Sequence, residues 1–296
     1  MALRTVCGDT SVIDYDNIIG SGTHGTVYGS YISNNIAVKV FPITKINKPT
    51  CYGVQQSFNS CDVIRNGEYS YQETAREYLN DSKSVIDADI VNIVDIPDVY
   101  GFKFLPTASQ AKCCSYLMKR LHPIGQHLIQ LSFNYERDHD SILSSGRYVG
   151  IDTFKQLGFS EYDFSKVNRS IATVFAVLHY GMKTDAYDIE FILAANGNKE
   201  DGQYIVYALD FDKFSSYNES YPYCVSRKLT ESDYDHRTIS DETRLARLLA
   251  TTINYCPDPS YPEYIEWKDT YIRIATLYNR NNLAIQVLKI HESLST

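Results

Sequence analysis

The sequence predicts an α+β chain in two lobes, the first rich in β-strands with one main helix and the second mostly helical. Three observations carry this expectation. The first forty residues set β-branched and aromatic runs around turn residues, at 12–19, 26–31 and 35–41. From Pro123 onward apolar residues recur at helical spacing, most clearly in 165–179, where Val167, Ile171, Val174, Phe175, Val177 and Leu178 share one stripe. Between these parts no internal repeat and no long Gly-, Pro- or Ser-rich linker occurs, so the chain reads as two lobes meeting at a hinge near 120–125.

Within the first lobe, 1–120, the opening strands form an antiparallel sheet, and 42–66 is irregular because Pro42, Asn47, Pro49 and Gly53 break any period. A helix follows over 71–85, carrying Glu73, Ala75, Glu77, Tyr78 and Leu79, and the short apolar runs 91–99 and 115–119 are expected as further strands of the same sheet. In the second lobe, 121–296, residues 125–133 and 165–179 are expected to be helical. The runs 191–195 and 204–211 flank a polar Gly/Asn segment and read as a hairpin. Helices are expected around 241–254, 263–279 and 284–294.

Composition narrows the function classes. With 296 residues, 44% hydrophobic and 22% charged, the chain is long and apolar enough to fold around a core of its own. Its formal charge of -8 leaves no electrostatic footprint for nucleic acid or an anionic membrane surface. No apolar run approaches the roughly 18 residues of a spanning helix, and the first residues lack a signal-peptide core, so a cytoplasmic location is expected. Seven cysteines, with no C-x-x-C pair, are expected to be reduced thiols rather than a disulfide framework or a zinc site.

The chemistry begins at Gly20-Ser-Gly22-Thr-His-Gly25-Thr-Val27, a G-x-G-x-x-G-x-V pattern. A dinucleotide fingerprint would open a helix, whereas here the glycines run into a strand and then into Ile36-Ala-Val-Lys39 on the next strand. That is the glycine-rich loop and strand lysine of protein kinases, in which backbone N–H groups lie over phosphates and the lysine reaches their oxygens. Gly20, Gly22, Gly25, Val27 and Lys39 are therefore the candidate nucleotide-binding residues. Such a lysine needs a helical carboxylate to hold it; Glu77 is expected in that role, with Glu73 second.

In the second lobe, Lys183-Thr-Asp185 follows a helix and leads into a strand, with Glu190 five positions after the aspartate. Asp185 stands where kinases keep the catalytic-loop base, Glu190 where a metal-binding asparagine is expected, and Asp210 of Asp210-Phe-Asp212 where the D-F-G aspartate binds metal. Four departures accompany this match. Glu190 adds charge to the metal position, Tyr187 takes the place of a phosphate-neutralising lysine that Lys183 stands near enough to replace, Asp212 replaces the last glycine, and no A-P-E follows. Arg137-Asp-His-Asp140 lacks the spacing and strand of a catalytic loop and reads as a polar loop.

With these residues in place the fold class is a bilobal protein-kinase-like fold, and the chain resembles a fungal kinase-like domain family of unknown function, found in proteins labelled zinc-finger proteins although the domain has no zinc motif. The marks of the resemblance are Tyr116-Leu-Met-Lys-Arg-Leu-His-Pro123, Gly181-Met-Lys-Thr-Asp-Ala-Tyr-Asp-Ile-Glu-Phe-Ile-Leu193, Asp210-Phe-Asp212, Tyr255-Cys-Pro-Asp-Pro259 and Trp267. The resemblance implies a nucleotide-site layout, with ATP and Mg²⁺ as cofactors, and leaves activity open. An atypical phosphotransferase acting on an unknown protein or small-molecule hydroxyl, a pseudokinase serving as an interaction module, and a small-molecule kinase are the three readings the residues allow.

Overall fold

The computed structural model describes residues 11–21, 25–43, 47–49, 55–57, 61–105, 112–124, 128–131, 146–149, 158–187, 189–196, 204–211, 214, 216–217, 240–253 and 255–295. The first sheet is antiparallel. It orders β1 (Ile13–Ser21), β2 (Thr26–Ser30), β3 (Ile36–Ile43), β8 (Lys112–Lys119) and β7 (Val99–Leu105) as β1-β2-β3-β8-β7. The two-residue period of β3 sorts its side chains. Val38 and Val40 pack with Ile13, Tyr15 and Tyr28 on one face, while Ala37 and Phe41 join Tyr116 and Met118 on the other. Lys39, between Ala37 and Phe41 in that alternation, therefore projects on the second face, toward the helix. A small hairpin of β4 (Asn47–Pro49) and β5 (Gln55–Ser57) lies between β3 and the helical segment in the chain.

That segment begins earlier than the sequence suggested. It comprises α1 (Cys61–Ile64), a π-turn (Arg65–Tyr69) and α2 (Ser70–Ser82). Gly67, at φ -90 and ψ -105, interrupts it, and residues 61–66, expected as the end of the irregular stretch 42–66, are helical instead. Along the whole segment Cys61, Glu68, Gln72, Ala75, Leu79 and Ser82 are buried at helical intervals.

The second sheet runs β10-β9-β11-β12-β6, from β10 (Gly146–Val149), β9 (Leu128–Leu131), β11 (Glu190–Ala195), β12 (Tyr204–Leu209) and β6 (Val94–Asp95). The hairpin of β11 and β12 is as expected. Two expectations are corrected. Residues 128–131 are a strand instead of part of a helix, because pairing with β11 decides the state of a short apolar run that has no period of its own. Residues 91–99 divide: β6 pairs in parallel with β12 in the second sheet, and only Val99 belongs to the first. Val206 N–H donating to Ile93 O at 2.7 Å fastens that crossing.

The helices of the second half are α3 (Glu161–Ala176), which ends in a π-turn (Val177–Gly181), α4 (Asp241–Thr252), α5 (Pro262–Leu277) and α6 (Asn281–Ser295). Ser160 and Asp163 form a reciprocal capping box at the start of α3, and Ser240 caps α4. One core extends from Ala75 and Leu79 of α2 through Phe175, Phe191, Trp267 and Tyr271 to Val287 and Leu288 of α6. Trp267 and Tyr271 stack at 5.0 Å. The connection after α2 is clamped to the helices: Asp87 accepts from both Arg273 nitrogens at 2.6 and 2.7 Å and from Arg169 at 3.2 Å, and Asp89 pairs with Arg169.

Cys61, Cys114 and Cys256 are not in disulfides. Cys113 is disulfide-bonded, which corrects the expectation that all cysteines are reduced; its partner lies outside the described residues. Among the described residues no helix is long and apolar enough to cross a membrane.

Candidate functional site

Lys39 places Nζ over the Phe41 ring, 5.4 Å from its centroid, and ends between two carboxylates. It pairs with Glu68 Oε1, and its Nζ is 3.7 Å from Asp210 Oδ1. Glu68 is 4% exposed and Lys39 17%, so the pair is shielded enough for its Coulombic attraction to exceed that of a surface pair. The Tyr116 hydroxyl donates to the same Glu68 oxygen at 2.6 Å. Gln72, one turn further along, donates through Nε2 to Pro97 O at 2.9 Å.

The expected helical partner of Lys39 was Glu77, and the structure puts Glu68 there instead. Glu77 and Glu73 are both exposed. The physical reason is helical phase: Glu68 lies on the buried stripe with Gln72, Ala75 and Leu79, one turn before Gln72, and Glu77 points away from it. The stripe was the signal that could have found Glu68, but its polar members Glu68 and Gln72 and the break at Gly67 hide it from a search for apolar periodicity. Tyr116 and Gln72 were missed for the same reason, since they look like core filler until the fold brings them to Glu68.

Asp210 directly follows β12 and has φ +65, in the left-handed region that aspartate tolerates better than most side chains. The turn directs its carboxylate toward Lys39. Glu190 opens β11 opposite Leu209, so the hairpin register brings Glu190 and Asp210 to the same end of the second sheet. Among the described residues no group of three or more His, Cys, Asp or Glu side chains is arranged to hold a metal by itself. Asp210, beside Lys39, and Glu190, at the same end of the hairpin, carry the oxygen ligands a hard cation takes.

Asp185 is 1% exposed and sits in the loop after the π-turn, flanked by left-handed Lys183 (φ 58) and Ala186 (φ 47). Its Oδ1 accepts from Tyr187 N at 3.2 Å. Backbone bonds hold the loop: Met182 N to Val177 O at 3.0 Å, Thr184 N to Leu178 O at 3.1 Å, and Tyr217 N to Lys183 O at 3.1 Å. Thr184 also forms a β-bridge with Ser216. Gly181 is required by packing, because a Cβ there would lie 2.7 Å from the Tyr278 ring. Beneath the loop, His179 is fully buried with Nδ1 2.7 Å from the Tyr271 hydroxyl, which accepts from Tyr180 at 2.8 Å. Burial pushes the His179 pKa down to about 3. Lys183 is exposed, and Tyr187 is half-buried.

Of the glycine-loop residues, Gly20 pairs with Val27 across the β1–β2 hairpin. Gly25 is buried, and a Cβ there would meet Val40 O at 2.7 Å. Gly22, like Asp212 and residues 137–140, lies outside the described residues. Val27, Ile19 and Leu209 pack against the cluster that holds Ala37, Phe41, Tyr116 and Met118, an apolar wall adjoining the charged cluster. Lys39, Glu68 and Asp210 thus meet in one place, with Glu190 beside Asp210 in the hairpin and Asp185 on the loop that precedes β11.

No family model and no curated protein matches the chain. Among solved structures it is similar to WaaP in complex with acyl carrier protein, at 9% identity and a TM-score of 0.39, covering 94% of this chain and 88% of that one.

Proposed function

We propose that the chain is an atypical kinase-like protein that binds ATP with Mg²⁺ and transfers a phosphoryl group to a hydroxyl of a protein or small-molecule acceptor. The observation that carries this reading is Lys39 held between buried Glu68 and Asp210, at 3.7 Å from the latter. A lysine fixed in this way presents its ammonium to phosphate oxygens without searching among rotamers. Val27 and Leu209, half-buried over Ala37 and Met118, would form the apolar side of a base site, and Gly20 and Gly25 belong to the glycine pattern whose backbone would cradle phosphates. Asp210 and Glu190 are the residues that would hold Mg²⁺, whose contribution would be to neutralise charge on the phosphates. Asp185 would orient the acceptor hydroxyl and take its proton, held in place by the backbone bonds of its loop.

The wider reading keeps 1–120 as the nucleotide-binding lobe and 121–296 as the lobe carrying the base, places the chain near the fungal kinase-like family, and assigns it to the cytoplasm. A second reading, a pseudokinase acting as an interaction module, is favoured by Glu190, which puts a second carboxylate where phosphate would approach.

Thermal unfolding with and without ATP, each with and without Mg²⁺, tests the proposal on the wild type, Lys39→Ala and Asp210→Asn. At 100 times its Kd a ligand specific for the folded state adds about 2.7 kcal/mol. A Mg²⁺-dependent rise lost in both variants is expected, whereas no rise at millimolar ATP refutes nucleotide binding. Binding without phosphate transfer to protein or metabolite panels selects the pseudokinase.

A further inference from the structure

We propose that Tyr116 is a positioning residue: its buried hydroxyl locks Glu68 against Lys39, so that the lysine is set for phosphate by the fold itself rather than by a partner or modification. The proposal deepens the nucleotide reading and rests on it for the role of Lys39; the lock itself stands on geometry. Tyr116 faces Lys39 in the β3–β8 register, so both side chains leave the sheet on the same face. At 1% exposure its hydroxyl donates at 2.6 Å to Oε1 of Glu68, the oxygen that also receives Lys39. The ring is wedged between Phe41, 5.6 Å away, and Tyr69, 5.7 Å away, so the hydroxyl has little freedom to leave.

The lock acts where the helix is weakest. Glu68 stands on a π-turn beside Gly67, whose ψ of -105 is outside the helical range, so the regular ladder of helical hydrogen bonds does not fix its direction. Tertiary contacts have to do so. Gln72 secures the following turn to Pro97 at 2.9 Å, and Tyr116 secures Glu68 from the sheet. Two donors on one carboxylate oxygen, one charged and one phenolic, reinforce each other in a site shielded from water.

Cys61 provides a readout that does not depend on nucleotide. It is a cysteine outside any disulfide, 3% exposed, at the start of the same helical segment and packed in the same cluster as Tyr116. The experiment compares the full chain with Tyr116→Phe, which keeps the wedge and removes the hydroxyl. Alkylation of Cys61 by iodoacetamide is followed by peptide mass spectrometry, amide exchange is followed over 65–72, and Mg²⁺-ATP affinity is measured by titration. Roughly tenfold faster alkylation and exchange, with a roughly tenfold weaker ATP affinity and a global unfolding midpoint that moves little, is expected from losing one hydrogen bond to a charged group. Unchanged alkylation and exchange overturn the proposal whatever the affinity does. Faster alkylation in a protein that binds no ATP even as wild type supports the lock and overturns the phosphate role of Lys39. If the midpoint falls by far more than the roughly 2 °C that a tenfold change corresponds to in a chain of 296 residues, the hydroxyl serves general stability and the positioning role is overturned.

Discussion

Removing the charge of Glu68 should separate a structural carboxylate from a surface one, with Glu77 as the internal comparison. In Glu68→Gln the amide oxygen can still accept from Tyr116, so the loss is concentrated on Lys39. Breaking a buried ion pair by removing one partner costs about 3–5 kcal/mol. Two features lower that figure here: Lys39 keeps 17% exposure, and Asp210 stands 3.7 Å from its ammonium as a replacement partner. About 2 kcal/mol is therefore expected for Glu68→Gln, and within about 0.5 kcal/mol of no change for exposed Glu77→Gln. Urea denaturation at pH 7 reads both, and a loss of 2 kcal/mol lowers the melting midpoint by about 3 °C, at about 2.1 cal/mol/K of unfolding entropy per residue over 296 residues. Because the pair is shielded, the difference between the variants should persist when salt is raised from 0.05 to about 0.5 M. Equal losses in the two variants, or a larger one in Glu77→Gln, would refute the reasoning that helical phase decides which carboxylate meets Lys39.

The other predictions follow from single contacts. His179 has its folded pKa depressed to about 3 against an ordinary 6.5, so the unfolded chain binds the extra proton; stability is full above about pH 6.5 and falls by about 1.4 kcal/mol per unit on acidification toward the folded value. His122, lowered by burial and then by Arg120, adds a smaller effect of the same sign, while Asp163, lowered to about 2, contributes only below about pH 4. Denaturation between pH 4 and 6.5 should therefore show a shallower acid slope in His179→Gln than in wild type, and an unchanged slope would contradict the burial of a neutral imidazole. Gly181→Ala places a Cβ 2.7 Å from the Tyr278 ring and should cost about 1–3 kcal/mol, relieved in part by Tyr278→Ala in a double-mutant cycle. Arg273→Lys cannot reproduce the two parallel bonds to Asp87 and should cost about 1 kcal/mol in denaturation while leaving ligand-dependent shifts intact.

Much of the fold was legible because local chemistry and tertiary context agree. The glycine loop running into a strand, the β-branched run ending at Lys39, the polar hairpin between 191–195 and 204–211 and the three last helices all follow from period and punctuation, and the structure contains each described part. Asp185, Glu190 and Asp210 were named as candidates from local spacing, and of these the structure brings Asp210 to within 3.7 Å of Lys39. Glu68 could not be named in this way, since its importance comes from a sheet residue 29 positions earlier and a tyrosine 48 positions later. The short runs 91–99 and 128–131 were misassigned for a similar reason, as only strand pairing settles the state and sheet of an apolar segment too short to have a period.

What the sequence by itself determined is the order of the elements and the identity of the charged groups: a strand lysine, a loop aspartate, and a hairpin flanked by Glu190 and Asp210. What only the tertiary structure decided is which groups meet. Period and turn chemistry act within a few residues, whereas the Lys39–Glu68–Tyr116 cluster is made by β3, a broken helix and β8 closing over one buried volume, and the desolvation of that volume selects the carboxylate that can reach the lysine.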